Sequence, residues 1–148
     1  MGLFGSKKKS DKAGPVGPPV DPHWVKSSVG NFYKFNSLDP EDLGLEGKSA
    51  VFVIWHAGVR PGWVYVAQTG DLAAALHEIA GNDEVMQYDI RGGLYVTWSL
   101  IKQEFQNGVV RYLTNSMDLL VENPNEPGMK ITPVAVYAPG MEPKKEKE

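Results

Sequence analysis

The side chains in this 148-residue chain that could do chemistry are three histidines, a dense set of aromatics and a lysine-rich amino terminus. His23, His56 and His77 lie far apart, with no His-x-x-x-His pair, so a bound metal is not expected. His77 and Glu78 look like an acid–base pair, but helix neighbours diverge by about 100° and do not face each other. A surface helix is the expected reading there. Cysteine is absent, which excludes disulfides, thiolate metal sites and thiol nucleophiles. Trp55, Trp63 and Trp98, with Tyr65 and Tyr95, suit either a stacking platform for bases or packing in a core or interface. Packing is the expected role, with Trp63 and Trp98 at strand ends, where an exposed patch would mark a protein contact.

The amino terminus reads differently. Met1-Gly2-Leu3-Phe4-Gly5-Ser6 fits the pattern for N-myristoylation, and Lys7, Lys8 and Lys9 follow it. An acyl chain on Gly2 and a basic patch are two signals that together hold a protein on an anionic membrane. Without the acyl group, Leu3, Phe4 and the lysines would make only weak contact. Residues 1–34 carry six lysines against two aspartates, a net +4. From Lys48 to Lys130 six cations face nine acids, a net −3. Nucleic-acid binders usually present a basic face to phosphates, so an acidic body argues against one.

These residues need elements to hold them. Residues 1–35 read as an arm: basic and Pro/Gly-rich, then aromatic, with Trp24, Phe32, Tyr33 and Phe35 as residues for docking on the domain or on a partner. Residues 36–137 read as one domain and 138–148 as a charged, disordered tail. Asp39-Pro40 suits the start of a short helical piece. Ala50 to Trp55 is a buried strand by its continuous apolar run, and Trp63 to Ala67 is its hairpin partner across a Gly/Pro loop. Asp71 suits an N-cap and Gly81 a C′ position around a helix whose stripe is Leu72, Leu76 and Ile79. Gly93 to Trp98 reads as a third strand. Ser99 then caps a helix through Gln106, with Leu100, Ile101 and Phe105 as its apolar positions. Asn107-Gly108 breaks or bends it, and Val109 to Leu120 reads as helix again. Ile131 to Tyr137 suits an edge strand, since Pro133 excludes a central one. The fold class is α+β: a three-stranded antiparallel sheet flanked by helices, with an extended amino-terminal arm. No run of about 18 apolar residues exists, and Met1 to Ser10 lacks the apolar stretch of a secretory signal, so a cytoplasmic home is expected.

Tyr65-Val66-Ala67-Gln68-Thr69-Gly70-Asp71-Leu72 resembles the second motif and following turn of the GIY-YIG nucleases. Ala50-Val51-Phe52 stands where that family's first motif belongs. Arg111-Tyr112-Leu113, then Leu119-Leu120 and Asn123-Pro124, are similar to its closing helix and exit. The resemblance covers about half the chain. It implies the family's fold and also a loss of activity. The first-motif tyrosine is Phe52, which has no hydroxyl. The helix arginine falls at Ala74 or Ala75, which supply no cation for phosphate charge. The metal-binding glutamate falls at Val110, which offers no oxygen to magnesium. Glu104, a turn or two earlier, is the alternative ligand. With Tyr65 retained, the resemblance implies a non-catalytic module that binds or assembles through protein contacts, self-association among them, without cofactor and with the amino terminus touching membrane. The alternatives are a Mg²⁺-dependent nuclease with rearranged residues, or a nucleic-acid binder that does not cleave.

Overall fold

The computed structural model describes residues 17–143. Gly2, Leu3, Phe4, Lys7, Lys8 and Lys9, and the tail from Lys144, lie outside the described residues.

The described chain is α+β. Its strands are Tyr33–Lys34 (β1), Ala50–His56 (β2), Gly62–Thr69 (β3) and Leu94–Ser99 (β4). They form one open antiparallel sheet in the order β1-β4-β2-β3. The expected hairpin and third strand are present, but the sheet has four strands, not three. The extra one is the two-residue β1, too short to leave an alternating pattern in the sequence. The helices are Leu72–Ala80 (α1), Asp83–Met86 (α2) and Gln103–Ser116 (α3).

Alternation along the strands divides the core in two. Ala50, Phe52, Ile54, Tyr65, Ala67, Leu94, Val96 and Trp98 face α1 and α2, and pack on Leu72, Leu76, Ile79 and Val85. Val51, Val53 and Val66 face α3, and pack on Val109, Val110 and Leu113. One bulge disturbs this order: Ile54 pairs with Tyr65 but Trp55 pairs with Trp63, so Val64 is the extra residue. Val64 and Tyr65 therefore both join the first core, while Trp63 moves to the face of Trp55.

α1 follows the sequence closely. Asp71 caps it by accepting from Ala74 N, and Gly81 closes it. α3 does not. A single helix runs through Asn107-Gly108, and its buried stripe is Gln106, Val109, Val110 and Leu113. Ser99 is the last residue of β4 rather than a cap, and its hydroxyl donates to Pro22 O. Leu100, Phe105 and Leu120 are exposed. Gly108 does not break the helix. It admits residues 132–134, because a Cβ there would come within 2.5 Å of Val134 Cγ2 and 2.7 Å of Thr132 O. Asp39 caps one hydrogen-bonded turn through Asp42 N, without a helix following. Residues 131–137 make no strand; Val136 forms a single parallel bridge with Val20.

The arm is not separate from the domain over its described part. Trp24 and Phe35 are buried in the two cores, and Trp24 Nε1 donates to Tyr137 O at 2.7 Å. Val25 N donates to Trp98 O, and Thr97 Oγ1 donates to Val25 O. A boundary at residue 35 thus falls inside the sheet. At the opposite edge, Leu120 and Val121 donate to Trp63 O and Val64 O, and Asn123 Nδ2 donates to Val66 O. Those bonds cover what would be an open strand edge.

Candidate functional site

β2 and β3 place Phe52 opposite Ala67 and Ile54 opposite Tyr65, so Phe52 and Tyr65 share one face diagonally. Their rings lie 6.1 Å apart at 40°. α1 crosses above them with Ala75, Glu78 and Ile79, and the turn at Asn123 to Asn125 closes one side. The result is a cleft of about 280 Å³. Burial is the main reason the Tyr65 phenol is pushed above its ordinary range, with the nearby Glu78 charge adding to it. The phenol is therefore neutral at physiological pH.

The polar groups around the cleft are mostly engaged. Asn123 donates to Val66 O and accepts from Asn125 N at 2.8 Å. Gln68 donates to Asn107 Oδ1 on α3. Among the described residues no lysine or arginine lines the cleft, and Glu78 is its one carboxylate. The start of α1 nearby is also occupied: Leu72 N donates to Lys48 O, Ala73 N to Leu45 O, and Ala74 N to Asp71 Oδ1. Asp71 is held below the usual carboxylate range first by Gly47 N–H and then by Ala74 N–H. A helix N-terminus attracts phosphate through unpaired N–H groups, and these are paired. Aromatic rings beside one carboxylate suit a neutral hydrogen-bonding group or a cation, not a phosphate.

Of the positions singled out by the resemblance, the structure gathers Phe52, Tyr65 and Ala75 into this cleft. Ala74 is exposed. Val110 is on the other side of the sheet, fully buried with Val51 and Val53. Glu104 is exposed in the first turn of α3, and it too is no part of the cleft. The reason is architectural: α1 and α3 cover opposite faces, so residues of the one cannot join those of the other across the sheet. Among the described residues no three His, Asp or Glu side chains come together as a metal would need. Among them, no helix is long and apolar enough to cross a membrane.

The aromatic candidates divide. Trp24, Phe35 and Trp98 are buried, and Tyr33 stacks on Trp98 with centroids 5.5 Å apart. Phe32 and Trp63 are half-buried and meet at Trp55. The Phe32 ring stands edge-on to Trp55 at 5.0 Å, Trp63 edge-on at 5.8 Å, and Tyr95 lies stacked on Trp55 at 6.1 Å. Two hollows flank the Phe32–Trp55 pair. One, of about 400 Å³, is lined by Pro61, Trp63, Pro139 and Met141; the other, of about 380 Å³, by Asn31, Lys34 and Tyr95. Pro139 is buried, so the expected tail at 138–148 begins as part of the fold.

The histidines make no shared site. His56 is buried and stacked on Tyr88. His77 pairs with Glu41 at 2.8 Å rather than with Glu78. His23 is exposed, 3.9 Å from Asp21. Sequence reading missed the role of Glu78 in the cleft, although its spacing of three from Ala75 puts both on one helix face. It also missed Arg111 as a buried clamp, which only contacts distant in sequence reveal. No protein-family model, curated protein or solved structure matches the chain.

Proposed function

We propose that the chain is a non-catalytic binding and assembly module built on a GIY-YIG-like body, acting through protein contacts, its own copies included. The observation that carries this reading is the composition of the Tyr65 cleft among the described residues: two aromatic rings, amides and one carboxylate, with no cation. Transfer of a phosphoryl group needs positive charge where negative charge develops, and losing one such group costs about 10²–10³ in rate. The order of hairpin, α1, third strand and α3 supports the GIY-YIG-like body, as does the gathering of Phe52, Tyr65 and Ala75. The acidic balance of residues 48–130 speaks against a phosphate backbone as the ligand.

The test is incubation of the purified full chain with branched and linear DNA in Mg²⁺ or Mn²⁺. No cleavage is expected, and no binding at physiological salt. Cleavage that disappears in Tyr65→Phe or Glu104→Ala would overturn the reading in favour of a nuclease. Binding without cleavage, falling steeply with salt, would overturn it in favour of a nucleic-acid binder.

A further inference from the structure

The hollow on one side of Phe32 and Trp55 is walled by Trp63, Pro61 and Pro139, and the one on the other side by Tyr95, Asn31 and Lys34; no α3 residue lines either. Met141 at the rim is 64% exposed. Adjacent hollows separated by an aromatic ridge are the surface that proline-rich segments recognise. A polyproline helix is preformed, so it loses little entropy on docking, and its prolines at i and i+3 fall on one side because the helix has about three residues per turn. The chain carries such a segment, Gly14-Pro15-Val16-Gly17-Pro18-Pro19, with Pro15 and Pro18 at that spacing.

Over its described residues the chain leads away from its own groove. Val20 is fastened beside Val136 in parallel, with Val20 N donating to Ala135 O and Tyr137 N donating to Val20 O. Going forward from 136 leads to Pro139 and Met141 in the groove. Going backward from Val20 leads the prolines the opposite way. To point into the groove of the same molecule, residues 17–19 would have to run the other way. There Pro18 and Pro19 fix φ, and each proline holds the residue before it extended. Pro18 and Gly17 are exposed where the described chain begins.

We propose that the Phe32–Trp55–Trp63 groove takes the Pro15-x-x-Pro18 segment of a second copy of this chain. The inference rests on the binding-module reading and names its partner. Only Pro19 separates Pro18 from the anchored Val20, so the donor domain must sit directly against the acceptor. Donor and acceptor surfaces differ, so each copy can give and take. The contact then propagates into a chain or closes into a ring.

The experiment is light scattering on the full chain across a concentration series, with two variants. Pro15→Ser/Pro18→Ser removes the donor and leaves the groove, and Pro18 is exposed. Trp63→Ala removes the groove and leaves the donor, with circular dichroism confirming its fold. The wild type is expected to gain mass with concentration. Each variant alone should lose at least about tenfold in association constant. An equimolar mixture of the two should form a dimer and stop, because it holds one intact donor and one intact groove. Wild type that stays monomeric, or a proline variant that associates like wild type, would overturn the inference. So would a monomeric wild type whose tryptophan fluorescence responds to an added peptide of residues 12–19, since the groove would then serve a foreign proline-rich partner. A monomer without nuclease activity refutes this contact alone, whereas DNA cleavage refutes the reading beneath it.

Discussion

Tyr65 lines a cleft whose one charged residue, among the described residues, is the Glu78 carboxylate, and its burial there decides its titration. Its folded pKa is raised, so the folded state resists ionisation more than the unfolded chain does. The contribution to stability is whole below the unfolded value of about 10 and is lost as pH rises through the folded one. Tyr65→Phe should change stability at neutral pH by less than about 1 kcal/mol. It should also flatten the alkaline decline relative to wild type, as read by urea denaturation at several pH values. Arg111 is the opposite case, a charge buried for structure. Its guanidinium donates to Pro127 O at 3.0 Å, to Asn115 Oδ1 at 2.7 Å and to Glu126 Oε2 at 3.3 Å, tying α3 to the exit turn. Arg111→Met should cost roughly 1–3 kcal/mol by leaving those acceptors unpaired. Glu126→Gln should cost less than about 1 kcal/mol, since that carboxylate is partly exposed.

Among the elements, α1 and α3 respond to different tests. Asp71 holds the start of α1 and is stabilised in its ionised form by Gly47 and Ala74 N–H groups. Its folded pKa is lowered, so its contribution is present above the unfolded value of about 4 and is lost as pH falls through the folded one. Asp71→Ala should lower the melting temperature at pH 7, and the gap to wild type should close in acid. In α3 the informative change is Gly108→Ala. Alanine favours helix over glycine by about 1 kcal/mol. The new Cβ would meet Thr132 O, a backbone atom that cannot swing aside. Overpacking of this kind costs about 1–3 kcal/mol, so a net loss is expected in denaturant titration. Gly108 also shows why α3 was misread. An Asn-Gly pair is a breaker by local rules, and only residues 132–134, brought against the helix by the fold, supply the reason for a glycine there. α1 was legible because cap, stripe and closing glycine all lie within eleven consecutive residues.

At the scale of the molecule, Trp24 belongs to the core and Val20 is fastened to Val136. Trp24→Ala should cost about 3–5 kcal/mol, a large share of the roughly 5–15 kcal/mol that holds a domain together. Truncation to residue 26 should lower the melting temperature sharply relative to the full chain, as thermal unfolding checks. A composition shift cannot mark that boundary. Pro/Gly content made residues 1–35 look like one arm, yet Val20 and Trp24 are held by partners more than a hundred residues away.

By itself the sequence determined the three longer strands, α1 with its caps and the α+β class. Each follows from local alternation, helical spacing or hairpin pairing, which neighbours in sequence decide. Only the tertiary structure decided that α1 and α3 cover opposite faces, separating Val110 and Glu104 from the Tyr65 cleft. It alone set Trp63 beside Trp55. Strict alternation would put Trp63 on the face of Tyr65, two residues on. The bulge at Val64 shifts the register by one and turns that side chain to the other face, where the aromatic groove forms. A bulge is settled by how the whole sheet packs, so the groove left no trace in the sequence that a local rule could find.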